Sequence, residues 1–192
     1  MINGLDDEVF LQALRVLSWS NVATAILVHP KTGSVRLEEG PVPKEAYGEA
    51  LNATLIRVSK PLLGDPVRLA IVIVHELTHC LDFDFAGDAL RSGGRGWASE
   101  INAHMNQGMI MRELNVCLPK SNGARANFDA MARSNTTFGN CMEWKTRSEV
   151  AKAIMPAYRD LARRNDTTHT TDDSKWQKDG WLHYFPVKVD AY

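Results

Sequence analysis

A mixed α+β fold is what the order of the chain predicts. β-branched segments punctuated by Pro and Gly occupy the first third, and long stretches of helical periodicity fill most of the remainder. The third observation is the segment "GDPVRLAIVIVHELTHCLDF" (64–83), where a strongly apolar helix carries two histidines four residues apart. At 192 residues, 44% hydrophobic and 23% charged, the chain is long enough for one core, and length favours a single domain over 1–192.

The elements follow in chain order. An amphipathic helix is expected over about 6–18. "VATAILVHPKTGSVRLEE" (22–39) reads as two short strands around the turn "PKTG", because β-branched runs flank Pro and Gly. "PVPKEAYGEALN" (41–52) reads as a short helix, and "ATLIRVSK" (53–60) as a strand stopped by Pro61. That strand directly precedes the histidine helix and is expected to be a sheet edge. Asp65 is a natural N-cap and Pro66 suits the first helical position, so the helix should run over 66–83 with Leu69, Val72, Ile73 and Leu77 on its apolar face. The glycines of "FAGDALRSGGRG" (85–96) end it in a loop, and "WASEINAHMNQGMIMRELN" (97–115) resumes helical periodicity. A last helix is expected in "TRSEVAKAIMPAYRDLARRN" (146–165), kinked or divided at Pro156. A polar loop (165–180) and a strand, "WLHYFPVKVD" (181–190), close the chain.

Composition narrows the function. With 22 basic and 23 acidic residues the net charge of −1 offers no overall attraction to nucleic acid or to an anionic membrane. Three cysteines, Cys80, Cys117 and Cys141, are an odd number without a pairing motif, which points to reduced thiols rather than a disulfide scaffold. The N-terminus carries acidic residues where a signal or transit peptide carries basic ones, and no apolar run approaches a membrane span. A cytoplasmic protein is the expectation, although signal-independent export leaves no mark in a sequence.

His75 and His79 lie on one face of their helix and can converge on one ion, with Glu76 placed to reach a water on that ion. This is the content of H-E-x-x-H: two imidazoles hold Zn2+, the zinc brings the pKa of its water towards ~7, and the glutamate takes the proton. A catalytic zinc needs a third protein ligand. Asp82 and Asp84 follow His79 too closely to turn back, although Asp82 is placed to orient a ligand. Asp88 in the loop, and Glu100 and His104 on the next helix, remain as candidates; Glu100 is favoured because a carboxylate from a second packed helix is a known zinc arrangement. The bland alternatives are core histidines and an exposed acid at a helix start.

"HELTHCLD" (75–82) followed by "WASEINAH" (97–104) resembles the mitochondrial metalloproteases that process and help assemble ATP synthase, with Glu100 placed after His79 at the family's spacing. The resemblance extends more loosely over about 50–167, and Ala98 and Asn102 stand where the family carries a cysteine and a basic residue. It implies a zincin-like metallopeptidase fold of the gluzincin type, His75, His79 and Glu100 as zinc ligands, and Glu76 as catalytic base. No substrate is carried over from it.

Peptide hydrolysis also needs a donor for the oxyanion. Tyr158, His169, His183 and Tyr184 are the candidates, and His183 with Tyr184 is the pair chosen. His29 is read as a solvent-facing turn residue and Cys80 as a buried apolar filler. The expectation is a zinc-dependent metalloendopeptidase acting on a protein or peptide. The alternative is a non-catalytic zinc-binding scaffold, against which Glu76 argues because a scaffold has no use for a base.

Overall fold

The computed structural model describes residues 8–43, 46–86, 96–134 and 136–158. Among them the fold is α+β, with seven α-helices and one three-stranded sheet. None of these helices is long and apolar enough to cross a membrane.

Helix α1 (Glu8–Leu17) buries Phe10, Ala13, Val16 and Leu17 on one face, the amphipathic pattern read from sequence. The segment expected to be a strand is instead helix α2 (Asn21–Leu27). Its apolar run fits either element, and the N-terminus decides: the Ser20 hydroxyl accepts from the Ala23 N–H at 3.0 Å, and the cap is itself docked, since Ser20 Oγ donates to Glu113 Oε2 at 2.5 Å. The expected hairpin turn at "PKTG" is a single 3₁₀ turn (Thr32–Ser34) leading into strand β1 (Arg36–Glu39).

Strands β2 (Gly48–Asn52) and β3 (Leu55–Val58) complete a sheet of order β1-β3-β2, in which β1 pairs with β3 in parallel and β2 with β3 antiparallel. Two sequence expectations change here. "GEALN" is a strand and not part of a helix: Asn52 Oδ1 accepts from the Thr54 N–H at 2.9 Å, closing an Asx turn that returns the chain as β3. β3 is therefore the central strand, and the sheet edge beside the next helix belongs to β2.

Helix α3 (Pro66–Ala86) begins as expected, with Asp65 Oδ1 accepting from the N–H groups of Val67 and Arg68 at 3.2 and 3.1 Å. It continues past the expected end at 83. Val67, Leu69, Ala70, Ile71, Ile73, Val74 and Leu77 are all fully buried, so α3 is covered by α1 and α4 (Gly96–Cys117) on its flanks and by the sheet.

Helices α5 (Arg125–Ala132) and α6 (Thr137–Asn140) were not legible in the sequence pattern. Helix α7 (Arg147–Ile154) opens with a full capping box between Thr146 and Glu149 and stops before Pro156, as the proline requires. It buries Val150, Ala151 and Ile154 against Ile101 of α4. The loop and strand expected over 165–190 lie outside the described residues.

Candidate metal centre

The site lies where α3 and α4 pack antiparallel. The interface is apolar except for a few polar links: Asn106 donates to Thr78 Oγ1 at 3.0 Å, Ser99 faces His79, and Gln107 faces His75. These hydrogen-bonded links fix the register of one helix on the other.

His75 Nε2 and His79 Nε2 stand 3.2 Å apart, and Glu100 places Oε2 at 3.7 Å from the first and Oε1 at 3.6 Å from the second. The edge of a tetrahedron of zinc ligands, with bonds near 2.1 Å, is about 3.4 Å. The three side chains are thus spaced as a zinc site would hold them, and they are the one such cluster found among the described residues. Glu100 is no exposed acid at a helix start: its side chain is only 18% exposed, and buried Oε2 has no conventional hydrogen-bond partner. The carboxylate is faced by the imidazoles of His75 and His79.

The far nitrogens set the tautomers. Ser99 Oγ donates to Asp82 Oδ2 at 2.5 Å, so it can only accept from His79 Nδ1, 2.7 Å away. Gln107 Oε1, an acceptor, lies 3.3 Å from His75 Nδ1. In their neutral form both rings therefore carry the proton on Nδ1 and present a lone pair on Nε2 to the centre. Asp82 acts on His79 as the sequence suggested, but through Ser99. Replacing Ser99 with Ala is expected to lower zinc affinity 10–100-fold with the fold retained. Chelator competition measures it, and unchanged affinity would remove Ser99 from the site.

Charge in the metal-free centre is tightly coupled. Burial alone would lower the His79 pKa, but Glu100, helped by Glu76 and Asp82, raises it to about 9. Burial pushes Glu100 upwards, and the imidazoles of His79 and His75 outweigh it, holding the carboxyl well below its usual range. Burial raises Asp82 to about 6 against the opposing pull of Ser99 and His79.

Glu76 is buried, and its Oε2 accepts from the Ala50 N–H of β2 at 2.8 Å. β2 runs alongside α3 in the same direction: Gly48 meets Val72, Ala50 meets Glu76, and the Cys80 thiol donates to the Asn52 carbonyl at 3.3 Å. A Cβ at Gly48 would come within 2.8 Å of Val72 Cγ1 and 3.0 Å of Glu76 Cγ, so this close approach requires glycine. Cys80 is the buried filler expected, its thiol pushed up to about 12 by burial and then by Glu76. His29 is half-buried, with Nδ1 accepting from the Lys31 N–H at 3.3 Å.

Of the four candidate oxyanion donors, Tyr158 falls within the described residues, and His169, His183 and Tyr184 lie outside them. Tyr158 sits just beyond α7, its ring centroid 5.9 Å from that of His104, and its hydroxyl interacts with the Glu100 side chain. Burial first, then the charges of Glu100 and Glu76, keep the phenol protonated and so a donor. Sequence reasoning missed Ser99, Gln107 and the Ala50 amide. Ser99 adjoins Glu100 and was open to notice, whereas a backbone N–H carries no sequence signal. Comparison of the chain with family models, with curated proteins and with solved structures finds no match to it.

Proposed function

We propose that this chain is a zinc-dependent metalloendopeptidase with a zincin-like fold, a distant relative of the mitochondrial metalloproteases whose motifs it resembles. The observation that carries the reading is the convergence of His75, His79 and Glu100 at tetrahedral spacing with Glu76 beside them on α3. Three unpaired thiols support a reducing, cytoplasmic setting.

Zinc held there supplies a Lewis acid that lowers the pKa of a water towards ~7 and polarises a carbonyl. The chain's own residues do the rest. Glu76 takes the proton of the attacking water and returns it to the leaving amine nitrogen, while the Ala50 N–H fixes the carboxylate in place. Tyr158 donates to the oxygen on which negative charge develops. Apart from the Ala50 N–H and the Asn52 carbonyl, which α3 engages, the edge of β2 offers main-chain groups to an extended peptide, the role first expected of β3.

Zinc-loaded protein should cleave unfolded polypeptides, lose this activity to a chelator and regain it with added zinc. Intact polypeptide after prolonged incubation with verified zinc-loaded protein would overturn the reading. Tyr158→Phe is expected to lower kcat about 100-fold with KM little changed, since the hydroxyl acts on charge that develops only in the transition state. An equal rise in KM would make Tyr158 a substrate-binding group instead.

A further inference from the structure

Arg68 lies on the stripe of α3 that also carries Val72, His75 and His79, two turns before the first histidine. Its guanidinium carbon stands 5.5 Å from the centre of the Tyr47 ring and 5.8 Å from that of Phe138, and the two rings are 5.7 Å apart at 58°. The cation thus rests against two rings that touch each other, and they hold it without neutralising it. Asp65 caps α3 through Oδ1, which accepts two N–H groups, and its Oδ2 forms only a long ion pair with Arg68 Nε at 3.8 Å, beyond a hydrogen bond. Arg68 Nε is buried without a hydrogen-bond partner, while the side chain as a whole is 39% exposed and Tyr47 is 42% exposed. An oriented, part-exposed guanidinium is a receptor for a carboxylate.

Its distance from the metal centre says which part of a substrate it meets. Two helical turns are about 10 Å, and an extended peptide covers that in about three residues. Tyr47 immediately precedes β2, and β2 runs with α3 from Arg68 towards Cys80. A peptide paired antiparallel to β2, the more stable ladder, runs the opposite way, so the residues after its scissile bond approach Arg68.

We propose that Arg68, held against Tyr47 and Phe138, forms a subsite for an acidic side chain on the third residue C-terminal to the cleaved bond. This rests on the peptidase reading and names its substrate class: peptides with Asp or Glu at that position.

The test uses one cleavable peptide carrying Glu, Gln or Lys at that position, with kcat/KM measured for zinc-loaded wild type, Arg68→Gln and Arg68→Glu. Kd for the three peptides is also measured with Glu76→Gln protein, which binds without turnover. Wild type should favour Glu over Gln about tenfold, Arg68→Gln should erase the difference, Arg68→Glu should favour Lys, and Kd should follow the wild-type order. Circular dichroism and zinc content establish that each variant is folded, and Arg68→Gln decides the matter alone if the charge reversal misfolds. Cleavage without charge preference, or a preference that survives in Arg68→Gln, overturns the subsite and leaves the peptidase standing. If no peptide is cleaved, the peptidase reading falls and the subsite with it.

Discussion

Glu76→Gln should leave zinc bound and the fold intact while turnover falls at least ~100-fold, the usual size of a general base contribution. Glutamine keeps an oxygen that can accept from the Ala50 N–H, so the contact between α3 and β2 survives and only the proton acceptor is lost. This separates chemistry from architecture, as an alanine substitution would not. Zinc stoichiometry and kcat on one preparation check it. Loss of zinc in step with activity would make Glu76 a ligand, and an unchanged rate would remove it as the base.

Glu100→Ala should abolish zinc retention, whereas His104→Ala should keep the metal. Glu100 closes a triangle of side chains with His75 and His79. His104 instead packs edge-on against His75, with centroids 4.7 Å apart, and burial followed by the charge of His75 lowers its pKa to about 3. It is a neutral packing ring beside the site. Zinc content after dialysis reads the difference, and equal loss in both variants would sink the assignment of the third ligand.

A pH dependence accompanies the same residues. Because Glu100 raises metal-free His79 to about 9 against the opposing effect of burial, zinc binding at neutral pH must displace a proton from that ring. Affinity should therefore rise about tenfold per pH unit until pH approaches that value, then level off. For metal-free folding the sign is the reverse: a raised histidine pKa stabilises the fold below the unfolded value near 6.5, and that stability is lost as pH rises towards 9. Glu100→Ala removes the raising charge and should flatten this stability profile.

The sequence by itself determined whatever rests on local chemistry. Asp65 and Pro66 announced α3, Pro156 ended α7, and the four-residue spacing placed His75 and His79 on one face, because caps, rings and helical pitch act within a turn or two. Glu100 as partner of the two histidines was also anticipated, as a carboxylate on the next packed helix and through the resemblance carried by "WASEINAH". The short apolar runs were not. "VATAIL" and "GEALN" each suit helix or strand, and what settled them was a serine cap docked on Glu113 in one case and pairing with β3 in the other.

Only the tertiary structure decided which strand is the edge, that Ser99 links His79 to Asp82, that a backbone amide of β2 holds Glu76, and that Tyr158 comes to Glu100 from beyond α7. Each of these depends on groups far apart in the chain meeting across packed faces. Periodicity states which face of an element is apolar, but not which other element will cover it.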